Sequence, residues 1–224
     1  MNPGLSLKPN ISERTCKRGT GIVLLVLLVL GGLWFFWPQQ ADLRGFDPAG
    51  VAKLEARMWR SYYEHRRLAL LRNLYLLARQ QYGFSPWDSS RITWHAARAA
   101  IAFQLTHSRE EAQVALPALE NYFRVIAHGI TVNFNASEAA SEELDWWQLR
   151  REQKTWQEYA PAVARVTATV YGTALDRVLE AARLRCEMMY ERDRHREAVV
   201  TDADWQRIEE GLKRSWTALK QAVR

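Results

Sequence analysis

The chain has 224 residues, 48% of them hydrophobic and 25% charged, and carries a formal net charge of +6 and two cysteines. That length suits one folded domain, or two small ones, with ample material for a core. The charge splits evenly, +3 in residues 1–20 and +3 in the remainder, with no clustered basic stripe of the kind nucleic-acid binding needs.

Residues 1–20 contain Gly4, Pro9 and scattered polar groups, and read as a disordered tail. Residues 21–37, GIVLLVLLVLGGLWFFW, carry no charge and meet the lower limit of about 17 residues for a membrane-spanning helix. Arg14, Lys17 and Arg18 crowd the N-terminal side, which predicts a cytoplasmic tail and a periplasmic or extracellular C-terminal domain. Trp34, Phe35, Phe36 and Trp37 then fall at the outer interface, where amphipathic rings prefer to sit. The apolar run is longer than a signal peptide's core, and WPQQA lacks a small-x-small cleavage pattern, so an uncleaved signal anchor is expected. Gly31 and Gly32 offer a place for a partner helix to approach closely. Such an anchor puts Cys16 and Cys186 on opposite sides of the membrane, which excludes a disulfide between them.

Residues 38–46 read as a polar linker, and residues 47–224 as an irregular all-α domain of about six to seven helices. Asp47-Pro48 is a start signal, after which helical spacing (Val51, Leu54, Met58, Tyr62) runs on for about thirty residues. Within that helix LALLRNLYLLA (68–78) is apolar on nearly every side, which predicts a place at the centre of the core. His65 falls on its apolar face. Ser85-Pro86-Trp87-Asp88 opens a helix made thin by its alanines, with Trp94, Ile101 and Leu105 supplying its bulk. Ser108 and Glu111 form a capping box for a third helix, and Pro117 predicts a kink or break near Leu116.

A fourth helix starts near Ser137, and Thr155 with Glu158 caps a fifth despite Pro161. A helix from Ala174 carries Leu175, Val178, Leu179, Ala182, Cys186 and Met189 on one face, which makes Cys186 a buried small hydrophobe. Thr201-Asp202 opens the last helix, with the stripe Trp205, Ile208, Leu212, Trp216, Leu219 and Val223.

The most distinctive segment is 142–152. There Leu144 and Trp147 share one helix face, while Trp146 and Leu149 point to the other. Either the helix is sandwiched in the core, or one tryptophan is presented to a partner. In the second case Trp146, Trp147, Arg150 and Arg151 are the candidate protein interface. Arg150 and Arg151 also lie within helical reach of the Trp147 ring or of Glu143. The triplet Asn135-Ala136-Ser137 matches a glycosylation sequon.

The five histidines form no H-x-x-x-H pair, and the chain has no Walker loop, G-x-S-x-G, glycine-rich dinucleotide turn or CxxC. No catalytic residue, metal or cofactor is therefore expected, nor a nucleic-acid or small-molecule ligand. The sequence favours an accessory subunit of a larger membrane complex, a respiratory or photosynthetic assembly being a plausible host. Membrane lipid and integral-membrane proteins would be its partners. One alternative is an envelope scaffold or regulator that recruits soluble partners. Another is a membrane-tethered enzyme whose site converges several of His65, His95, Glu187 and Glu191.

Overall fold

The computed structural model describes residues 11–36, 41–194 and 200–224, with side chains from Val23 onward except that of Trp34. The chain divides into two units, Met1–Trp37 and Pro38–Arg224.

In the first unit, helix α1 (Ile11–Phe36) contains the apolar run as far as Phe36 and begins well before it. Residues 11–20, read as tail, are therefore helical from Ile11; the segment from Ile11 to Arg18 holds no glycine or proline to oppose this. Residues 1–10 and Trp37 lie outside the described residues, as does the side chain of Trp34. Among the described residues no helix is long and apolar enough to cross a membrane.

The second unit is all-α, with no strand among the described residues and one isolated parallel bridge, Ala41 with Ile130. Its helices are α2 (Pro48–Tyr63), α3 (Arg67–Tyr82), α4 (Pro86–Gln104), the single turn α5 (Arg109–Ala112) and α6 (Leu116–Gly129). They continue with α7 (Ala136–Arg151), α8 (Trp156–Tyr171), α9 (Leu175–Arg194) and α10 (Asp202–Ala222). From α2 to α4 and from α6 to α10, each packs mainly against its neighbour in sequence. The helix α4 meets α6, and α10 returns to α2, so the packing closes into a ring.

The larger number of segments has two local causes. First, the thirty-residue helix breaks at Glu64–Arg66. His65 takes a left-handed conformation (φ 56°), and the Arg66 amide bonds back to Ser61 O at 2.9 Å. Asn73 then reaches across the turn to Ser61 Oγ (3.1 Å) and Arg57 O (3.3 Å), which holds α3 folded back on α2. His65 thus lies exposed in a turn and not on an apolar face. Second, the Pro117 break is present: α5 ends at Ala112, a 3-10 turn follows, and α6 restarts at Leu116.

The caps follow the sequence closely. Ser85 accepts from the Asp88 amide (3.1 Å), and Thr155 and Thr201 each complete a capping box, with Glu158 and Asp204. Only half of the Ser108 box forms, because the Glu111 carboxylate takes the His107 amide instead. Asn135, the sequon residue, is the N-cap of α7 and accepts from the Ser137 amide at 3.0 Å. The stripe Trp205, Ile208, Leu212, Trp216, Leu219 and Val223 is buried throughout.

Two further expectations fail. The segment read as a linker belongs to the fold from Ala41 onward: Ala41 N donates to Gly129 O at 2.8 Å, and Leu43 and Phe46 are buried. The Phe46 ring meets Trp216 edge-on at 5.3 Å, so two apolar side chains hidden among polar residues made this stretch structural. The second failure is α3. Only Ala78 and Tyr82 are buried on it, and Leu68 is 84% exposed. An apolar helix needs the core on all sides only if helices surround it, and α3 packs mainly against α2 and α4.

Candidate functional site

One polar cluster joins three helices of the ring. Glu55 on α2, 1% exposed, accepts from Arg185 Nε at 2.8 Å and from Trp216 Nε1 at 2.6 Å, joining α2, α9 and α10. The Arg185 guanidinium also stands over the Trp146 ring at 5.9 Å. Burial disfavours its charge, but Glu55 and then Glu143 outweigh that and hold it above the ordinary arginine value. Every carboxylate and cation here answers another. A buried ion pair with matched hydrogen bonds holds helices in register and presents nothing to a substrate.

The four candidate interface residues of α7 are engaged inside the domain. Trp146 is buried, and Trp147 donates from Nε1 to Glu143 at 2.8 Å while its ring meets Phe103 edge-on at 5.2 Å. Arg150 forks onto Asp193 at 2.9 and 3.1 Å and donates to Tyr63 OH. Arg151 binds Thr106 O and Ser108 O, each at 2.9 Å, and stacks on Phe103 at 4.3 Å. The two arginines therefore turn to α9 and to the α4–α5 connection, not to the Trp147 ring. The helix lies between α6 and α8, the first of the two arrangements that its apolar faces allowed.

The groups an enzyme would have needed to converge stand apart. Glu187 pairs with Arg183 and Glu191 with Arg194, both along α9, and His65 is exposed. His95 lies on α4. Burial lowers its pKa, and so do the nearby Arg91, Arg98 and Arg124. No cluster of three or more metal-ligating side chains occurs among the described residues. Cys186 is fully buried, and burial pushes its thiol up to about 12, the wrong direction for a nucleophile. An open cleft beside α7 and α8 is lined by Glu138, Glu142, Arg165 and Thr169. There Thr169 Oγ1 donates to Glu142 at 2.9 Å, and burial raises the Glu142 pKa.

The feature that the interior does not explain is the outward face of α4. Trp87, Arg91, Trp94, Arg98, Ile101 and Leu105 follow one another at spacings of four and three, so they form one stripe, and all are exposed. Trp94, Ile101 and Leu105 are 62%, 60% and 76% exposed. The bulk of this helix thus faces solvent, while its alanine side, with Ala99 fully buried, faces the ring.

α3 adds to the same end of the pair. Arg79 near the C-terminus of α3 donates to Phe84 O just before α4, and Tyr62 OH accepts from Gln104 at 2.6 Å. The two helices therefore run antiparallel, with exposed Leu68 and Leu71 at the end where Ile101 and Leu105 lie. Residues 65–107 hold six arginines (Arg66, Arg67, Arg72, Arg79, Arg91, Arg98) against one acid, Asp88. That is +5 in one helical hairpin, whereas residues 108–224 sum to −2 and residues 21–64 to zero. Even division of charge along the chain hid this concentration. A spacing of Trp-Arg-Trp-Arg on one helix face was the signal that could have revealed it.

No family model, curated protein or solved structure matches the chain.

In α1, nothing among the described residues lies within 4 Å of where a Cβ would sit on Gly31 or Gly32, and Phe35 meets Phe36 edge-on at 5.0 Å.

Proposed function

We propose that this chain is a membrane-anchored accessory subunit that acts by binding. In this reading α1 is an uncleaved signal anchor, the N-terminus is cytoplasmic, and the helical ring stands on the periplasmic or extracellular side. The run from residue 21 to 37 and the arginines and lysine before it support the anchor. The glycine pair and the aromatic end of α1 are where a transmembrane partner would pack.

The observation that carries the reading is the outward stripe of α4. Trp94, Ile101 and Leu105 stand largely exposed along one helix face while the core packs on its other side. Large apolar side chains gathered on one exposed face mark a protein or membrane interaction site.

Solubilisation in mild detergent followed by size analysis tests the proposal. The chain should migrate well above its own 26.0 kDa with integral-membrane proteins attached. Recovery as a bare monomer, with nothing co-purifying, would count against an accessory subunit.

A further inference from the structure

The geometry points to the α3–α4 hairpin docking on an anionic lipid surface, with α4 lying flat in the headgroup layer. This inference rests on the membrane-anchored reading and names what the exposed face meets.

Three observations converge on that occupant. The stripe is long: the eighteen steps from Trp87 to Leu105 at 1.5 Å each make it about 27 Å, enough for a helix to lie along a surface through several turns. Its chemistry is mixed on a single face, with Arg91 and Arg98 set between Trp87, Trp94 and Ile101. A protein surface would have to offer acids and apolar pockets in matching alternation. A bilayer offers both at every point, because phosphates and acyl chains lie a few ångströms apart in depth. Arginine reaches up to the phosphates while its stem and the neighbouring rings enter the apolar boundary. Indoles favour this layer for the same reason.

The third observation is charge. The hairpin carries +5 while the rest of the folded unit does not carry a net positive charge. Of its arginines, Arg67, Arg72 and Arg98 make no ion pair among the described residues, and Arg66 and Arg91 each meet one acid, Glu64 and Asp88. Basic groups are drawn to an anionic leaflet, and exposed ion pairs such as those of Arg66 and Arg91 hold them only weakly. A tether to the membrane makes the contact intramolecular, so modest affinity suffices.

The test uses the full chain carrying Cys16→Ser and Leu105→Cys, labelled at position 105 with an environment-sensitive fluorophore. Cys186, being buried, stays unlabelled. The protein is reconstituted into vesicles of phosphatidylcholine alone or with phosphatidylglycerol added, and washed with alkaline carbonate. Docking predicts a blue shift in the anionic vesicles only. The shift weakens at high salt and is lost in the Arg91→Glu/Arg98→Glu variant, whose circular dichroism stays that of the parent. A label that stays water-exposed in both lipids, in protein retained after the wash, overturns lipid docking and leaves the anchor standing. If it becomes shielded only in native membranes, a protein covers the face instead. Loss of the protein in the carbonate wash overturns the anchor, and flotation of the released chain with anionic but not neutral vesicles then decides the lipid contact by itself.

Discussion

The carboxylate of Glu55, on the second helix, accepts a hydrogen bond at 2.6 Å from the indole of Trp216, 161 residues further along the chain. This is the bond by which the last helix closes the ring onto α2, and Arg185 completes it from α9 at 2.8 Å. Replacing Glu55 leaves a half-buried guanidinium and a buried indole without an acceptor. Breaking a buried pair in this way costs about 3–5 kcal/mol. Glu55→Gln should sit toward the lower end, because the amide still accepts from Trp216. Denaturant melts of Glu55→Gln, Arg185→Met and the double variant measure this. A double variant more stable than either single one is the expected pattern, and strictly additive losses would show that the pair is not coupled.

Gly129 closes the α6 end against Phe84. A Cβ there would meet Phe84 Cε1 at 2.6 Å, and the ring is fully buried with no room to retreat. Gly129→Ala is expected to lower stability by about 1–3 kcal/mol, the range for overpacking a filled site. Pairing it with Phe84→Leu should return part of that loss.

The fold should be sensitive to base. Burial pushes the Cys186 thiol up to about 12 from an ordinary 9.0, and the Tyr122 phenol up to about 12 from 10.0. In both cases the folded chain holds its proton where the unfolded chain releases it. Stability from these groups is therefore intact below pH 9 and is lost as pH rises through the window between 9 and 12. Thermal melts across that range should fall steadily. Below pH 9, Cys186 should react with a maleimide only as fast as the domain opens.

The outward stripe of α4 should be dispensable for folding. Trp94→Ser, Ile101→Ser and Leu105→Ser remove side chains that are mostly in water, so each should change stability by less than about 0.5 kcal/mol. The same changes at Ile92 or Ala99, on the inward side, should be clearly destabilising. Equal losses on both faces would mean that the stripe is covered within the domain.

Much of the ring was legible because its signals are local. The buried side of α10 is a plain spacing of three and four, and the starts at Ser85, Thr155 and Thr201 are hydrogen bonds within one turn. Pro117 breaks its helix for reasons internal to the backbone. What the sequence hid depends on neighbours. The break at Glu64–Arg66 has no glycine or proline, and it is made by Asn73 reaching back to Ser61 and Arg57. The exposed face of α4 was hidden for a related reason. Periodicity locates an apolar stripe on a helix but does not say whether another helix covers it, and here α3 and α6 cover the alanine side. On α7 the pattern correctly placed apolar residues on two faces, yet Arg150 and Arg151 found partners in Asp193 and Thr106, far off in sequence.

The central claim is that residues 21–37 hold the protein at a membrane, and alkaline carbonate extraction tests it most directly. The full chain, expressed in cells and extracted from their membranes, should remain in the pellet. A chain beginning at Pro38 should leave it for the supernatant, or pellet only through a contact that salt removes. Full-length protein released quantitatively by carbonate would contradict the account.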